Sequence, residues 1–323
     1  MNTSVRLLTA LAFYIILYLS LTIAEAAETL RVGYANAEGA KIPVFVAKEQ
    51  RIFDKQGLDV RMTRVVTSRL GVAKLISGEI QFFLGNSGAV VEAIATQKAP
   101  LVIIASLGRE RLAIYSLPSI TRVEDLKGKR FGVSSPGATN DRVASRALKK
   151  LGFEPGSDMQ IITTGRGDPI DRLQSLAGGN VDAVAATADD LFELAPEERR
   201  KIRKLVDLAD YGILVSGADV AVGRTYLKAQ RGTVRRFLQA IDEALDVARK
   251  RPDLVAAAYE KYAGPSDRKT LDLKVAEYYA SKPPERAYPD KRAVASMIEQ
   301  LQDKMPELKS DDSSAYIDES LYR

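Results

Sequence analysis

Short apolar runs alternate with helical patterns along most of the chain. LRVGYA (Leu30–Ala35) has the length and apolar content of a strand, and KIPVFVAKEQRIF (Lys41–Phe53) reads as one helix that Gly57 stops. Pro43 falls in the first turn of that helix, where a missing N–H costs nothing. LDVRMTRVV, IQFFLG and PLVIIASLG follow as strands, separated by the helical stretches RLGVAKLISGE and SGAVVEAIATQ. RLAIYSL ends this run, and the pattern restarts at VEDLKGKRFGVSSPGATN. Alternation of this kind marks an α/β fold.

The restart is an internal echo. RVGYANAEG begins at Arg31 and RFGVSSPGATN at Arg130, 99 positions later; LISGEIQF begins at Leu75 and LAGGNVDA at Leu176, 101 positions later. Two landmarks with nearly the same offset point to two lobes of similar β-loop-α organisation. The C-terminal third is helical. TVRRFLQAIDEALDVARK carries Val234, Phe237, Leu238, Ile241, Leu245 and Ala248 on one face, with Thr233 placed to cap it and Pro252 to end it. Helices follow at Leu254–Tyr262, Asp267–Ala280 and Lys291–Met305. The apolar stripe reads as core against the first lobe. The charge run Pro196–Lys204 reads as a solvated helix face.

The chemistry is constrained most by what is missing. The 323 residues include no Cys and no His, which removes the usual zinc sites, Cys nucleophiles, Ser-His-Asp triads and His acid–base catalysis. No spacing argues for a carboxylate-bound metal or a Ser-Lys pair. The net charge of +5 is spread without a basic patch interleaved with aromatics, so nucleic acid is not an expected partner. At the N-terminus Arg6 precedes an uncharged run, Leu7–Ile23, and Ala24-Glu25-Ala26 has the small-x-small form of a cleavage site. Residues 1–26 are therefore expected to be a signal peptide, with an uncleaved anchor as the competitor. A chain without Cys cannot be a lipoprotein of the acylated-Cys type.

Three small-residue loops lie where strands hand over to helices. In open α/β sheets such loops, outside the carboxyl ends of the strands, are where ligands collect. The first N–H groups of a helix have no internal partner and carry partial positive charge. Ser134, Ser135, Gly137 and Thr139 in SSPGATN thus have the makings of an oxyanion cradle, although the same residues suit an ordinary N-cap and turn. Asn86 and Ser87 in GNSGA occupy the equivalent place in the first copy. Arg166, in TTGRGDP, offers a planar fork to a carboxylate or sulfonate, and no Walker lysine follows any of these glycines.

The segments VGYANAEGAKIPVFVAKEQRIFDKQGLDV, LISGEIQFFLGNSGAVVEAI, APLVIIASLG, VEDLKGKRFGVSSPGATND, LKKLGF, LAGGNVDAVAAT and DDSSAYIDESL, in this order, resemble the periplasmic solute-binding proteins of the nitrate/sulfonate/taurine and thiamine-precursor branch. Two positions depart from the pattern: Gln81 stands where an acidic residue is usual, and QKAP where a glycine is common. The resemblance implies the type II periplasmic-binding architecture: two lobes with central mixed β-sheets flanked by helices and a two-segment hinge, here near Ile114–Leu117 and Ile213–Ser216. The expected division is residues 27–115 plus 215–323 for lobe I and 116–214 for lobe II.

The expected function is non-enzymatic: capture of a small organic anion between the lobes and delivery to an ABC-type permease, by a periplasmic monomer without cofactor or metal. The expected ligand contacts are Asn36, Glu38, Lys41, Asn86, Ser87, Ser134, Ser135, Gly137, Thr139, Arg166 and Thr187. A neutral pyrimidine-like ligand, or a sensing role at a membrane receptor, is the alternative. Two enzymes of related fold are disfavoured, because the resemblance implies that one consumes a histidine and the other attaches its cofactor through a cysteine.

Overall fold

The computed structural model describes residues 28–35, 39–134, 139–165, 169–302, 305, 308 and 313–322, with backbone alone at 139, 140 and 169. The segment 1–26, expected to be a signal peptide, lies outside these. Among the described residues no helix is long and apolar enough to cross a membrane.

Twelve strands are named in chain order: β1 Glu28–Tyr34, β2 Leu58–Arg64, β3 Phe82–Gly85, β4 Leu101–Ser106, β5 Arg109–Glu110, β6 Leu112–Ser116, β7 Arg130–Val133, β8 Gln160–Thr163, β9 Ala183–Thr187, β10 Arg203–Asp207, β11 Val215–Ser216 and β12 Asp219–Gly223. One sheet has the order β2-β1-β3-β12-β4 and the other β8-β7-β9-β6-β10, with β11 and β5 forming a separate ribbon. The two sheets share one topology. In each, the first three strands pair in parallel and the last two antiparallel. The expected lobe boundary at 115 falls inside β6, all five residues of which pair in the second sheet. The chain passes between sheets beside the β5–β11 ribbon.

Seven helices carry the argument: α1 Ile42–Glu49, α2 Ser87–Gln97, α3 Thr139–Lys150, α4 Ala188–Phe192, α5 Arg231–Lys250, α6 Arg268–Ala280 and α7 Lys291–Gln302. The helix expected over Lys41–Phe53 is broken at Arg51, whose φ of 55° turns the chain so that Ile52 and Phe53 also bury. Pro43 does sit in the first turn of α1. Thr233 is not the cap of α5. That helix starts at Arg231, and the Thr233 hydroxyl donates to the Glu28 carboxylate at 2.6 Å. In the charge run only Pro196–Arg199 is helical; Arg203 onward pairs with β6 as an edge strand.

The α5 stripe is core, as its period requires: Val234, Phe237, Leu238, Ile241, Leu245 and Ala248 are buried in the cluster that also holds α1 and the first sheet. Phe237 stacks between Phe53 and Phe82, at centroid distances of 5.3 and 4.1 Å. β4 is an edge strand yet wholly buried. The C-terminal segment covers it: Ile103 donates to the Tyr316 carbonyl and accepts from Asp318, so the edge offers no free ladder to another chain.

Candidate functional site

The carboxyl ends of the two sheets face each other. β1 ends at Tyr34 and the chain is next described at Gly39, while β9 ends at Thr187, the N-cap of α4. A side chain on Gly39 would meet the Asp189 carboxylate, 3.0 Å from the Cβ position. Gly39 has φ +50°, so glycine suits this close approach on both counts. Ala40, beside it, packs against Gly108 and Gly217, which flank the ribbon.

Ion pairs join the lobes on both sides of this gap. On one side Lys274 of α6, its side chain only 4% exposed, reaches Glu193 at 3.1 Å, and Arg199 donates to Thr270. On the other, Arg146 of α3 pairs with Glu299 of α7. At the ribbon, Arg109 holds Asp290 through two bonds of 2.5 and 3.0 Å. Burial alone would raise the Asp290 pKa; the bonds from Arg109 and from the Ala293 amide outweigh it and hold the carboxyl below its ordinary range. Arg111 lies between Glu277 and Asp207, at 3.0 and 3.5 Å.

Of the expected contacts, Asn36, Glu38, Ser135, Gly137 and Arg166, and the Thr139 side chain, lie outside the described residues. The others fall at carboxyl ends of strands. Lys41 is buried, and its Nζ donates to the Gly217 carbonyl at 3.0 Å, tying the start of α1 to the ribbon. Asn86 is the half-buried N-cap of α2 and makes no side-chain cap bond. Ser87 is fully buried. Ser134 accepts from the buried Arg172 at 2.5 Å. Thr187 forms a capping box with Asp190: its hydroxyl accepts from the Asp190 amide at 3.1 Å, and its own amide donates to the Asp190 carboxylate at 2.9 Å.

Sequence reasoning passed over Asp219, Ser106, Ser216 and Arg172. Asp219 is the first residue of β12, opposite Gly85 and Ser106 at the ends of β3 and β4. The hydroxyls of Ser216, Ser106 and Ser87 face its carboxyl and ease its charge, but none of these contacts has hydrogen-bond geometry. Desolvation dominates and pushes the Asp219 pKa up to about 6. The available signal was one acid inside GADVAVG, a stretch otherwise fit for a buried strand.

Two matched α/β lobes, carboxyl ends face to face and linked by a two-stranded ribbon, have the type II periplasmic-binding fold. The chain belongs to the family described as NMT1/THI5 like, whose model matches residues 39–254. Among solved structures it is similar to the periplasmic aliphatic sulphonate-binding protein SsuA of Escherichia coli, at 20% identity and TM-score 0.71 over 90% of this chain and 92% of that one. The periplasmic nitrate-binding protein NrtA of Synechocystis PCC 6803 matches at 12% and 0.67, over 92% and 88%. The ligand-binding component of an ABC-type import system from Staphylococcus aureus, with zinc bound, matches at 11% and 0.67, over 91% and 98%. Among curated proteins, none matches the sequence.

Proposed function

We propose that the protein captures a small organic anion, of sulfonate or carboxylate type, between its lobes and delivers it to an ABC-type permease from the periplasm. One observation carries the reading: helices start at the carboxyl ends of strands in both lobes, across a gap as narrow as Gly39 to Asp189. Helix starts present unpaired N–H groups and partial positive charge, the complement of an oxyanion. The Ser134 hydroxyl, accepting from Arg172, has its remaining proton free to donate to such a ligand. The sulphonate- and nitrate-binding neighbours agree with an anion. Residues 1–26 serve as the export signal, and the protein works as a monomer.

Native mass spectrometry of protein taken from its host, followed by a thermal-shift panel, tests this. A ligand at 100 times its dissociation constant stabilises by about 2.7 kcal/mol. Shifts from sulfonates or carboxylates are expected. Shifts from neutral pyrimidines alone would refute the anion reading and favour the heteroaromatic one.

A further inference from the structure

The connection between α6 and α7, residues 281–290, has neither helix nor strand, yet it holds the crossing between the lobes. Its Asp290 takes two bonds from Arg109, the first residue of β5, and Arg109 pairs in the ribbon with Ser216 of the return crossing. Pro284 lies against Gly108, its Cδ 3.8 Å from where a Cβ would stand on that glycine. A stretch without a ladder of its own keeps its place only through bonds to its surroundings. Ala287 is where this one is held. Its amide donates to the Asp242 carboxylate of α5 at 2.8 Å, and its carbonyl accepts the Ser106 amide, at the end of β4, at 3.1 Å.

The same carbonyl accepts the Tyr322 hydroxyl at 2.7 Å, and the Tyr322 ring lies 4.5 Å from that of Tyr288. Tyr322 belongs to the C-terminal segment that covers the edge of β4. Glu319 of that segment pairs at 2.7 Å with Lys291, the residue after Asp290. The segment therefore grips the chain on both sides of the Arg109 anchor. We propose that Tyr322 is a positioning residue for the lobe crossing: it fixes the 287–291 stretch so that Asp290 meets Arg109 in one geometry. Desolvation raises the Tyr322 pKa, so the hydroxyl keeps its proton and remains a donor. The Lys291–Glu319 pair is exposed and adds little alone, which leaves Tyr322 as the main grip. The outer edge of the first sheet is thus linked to the angle between the lobes, whatever the protein binds.

Pulsed electron–electron distance measurements and hydrogen exchange on the ligand-free full chain test this. The absence of Cys allows spin labels at Arg69→Cys in the first lobe and Lys127→Cys in the second, both exposed positions. In Tyr322→Ala the interlobe distance distribution should widen about twofold, and amides within 106–110 and 284–291 should exchange about tenfold faster. Tyr322→Phe keeps the ring, should show the same changes at smaller size, and serves should Tyr322→Ala fail to fold. Asp290→Asn retains a cap for α7, where the Ala293 amide bonds the side chain, and removes the charge that holds Arg109. It should widen the distribution as Tyr322→Ala does, and the double variant should widen it no further. Folded Tyr322 variants with the wild-type distribution would overturn the proposal, even if exchange rises evenly through the first lobe. Widening that adds to that of Asp290→Asn would overturn it too, because Tyr322 would then act by another route.

Discussion

Replacing Asp219 with Asn in ligand-free protein should stabilise the fold at neutral pH and leave it unchanged in acid. Burial raises this carboxyl from 3.8 to about 6 in the folded state. Each pKa unit corresponds to 1.36 kcal/mol, so the ionised carboxylate costs the native state about 3 kcal/mol. The sign follows from proton counts. Above pH 6 the group is ionised in both folded and unfolded chains, and the native state bears the full cost. Between 6 and 3.8 the native state holds a proton that the unfolded chain has released, so this contribution to stability improves as pH falls. Below 3.8 both states are protonated and the cost is gone. The amide of Asn keeps the shape and carries no charge, so the variant's advantage should approach 3 kcal/mol at pH 7.5 and shrink to nothing near pH 4. Urea unfolding of both proteins at pH 4, 5, 6 and 7.5 measures it; Asp290 and Asp182, whose pairs weaken in acid, are common to both and cancel in the difference. A pH-independent difference, or a variant less stable at pH 7.5, would show that Asp219 is compensated in the native state.

Other perturbations test the frame around the site. Phe237→Ala empties the stack between Phe53 and Phe82 and should cost about 3–5 kcal/mol in urea unfolding. Gly132→Ala puts a Cβ 3.0–3.1 Å from Val184, Thr164 and Val181, and should cost about 1–3 kcal/mol by the same measurement. Asp182→Asn loses a pair with Arg130, which is 40% exposed, so about 1 kcal/mol is expected at pH 7. The bonds from Arg130 hold the Asp182 pKa below 3.8; the pair's contribution should therefore persist in mild acid and disappear as pH falls through that lowered value. Glu193→Gln strands the buried Lys274 ammonium only when the lobes are together, and should weaken ligand binding a few-fold with little change in ligand-free melting.

The two-lobe plan was legible because the echo in the sequence has a steric cause. Gly33 and Gly132, 99 positions apart, are each the next-to-last residue of their strands; a Cβ on Gly33 would sit 2.6 Å from Ile80, and one on Gly132 3.1 Å from Val181. Ile80 and Val181 each follow a turn with a positive-φ glycine, Gly78 at +78° and Gly179 at +74°. Strand glycine, turn glycine and branched side chain are thus one packing unit used twice, and a unit that must fit is visible as a repeat. Gln81, the departure in the first copy, is explained the same way. Its Oε1 accepts the Arg31 amide at 3.0 Å, as Asp182 accepts that of Arg130 at 2.8 Å. The backbone bond is what the position requires; the ion pair in the second copy is an addition.

The site was less legible, because periodicity reports which face of an element is buried and not what a buried polar group meets. Lys41 illustrates the limit. A lysine just after a strand reads as a ligand contact, yet here it spans from the start of α1 to the Gly217 carbonyl. Asp219 illustrates the converse: flanked by Ala218 and Val220 it reads as an interruption of a strand, and its surroundings appear only when β12 inserts between β3 and β4 and brings Ser87 and Ser106, from two distant segments, to join the nearby Ser216 around it. Ser87, Ser106 and Ser216 are unremarkable one at a time. Their convergence on an acid without a countercharge costs stability that no packing need explains, since an apolar residue would fill the position at less expense.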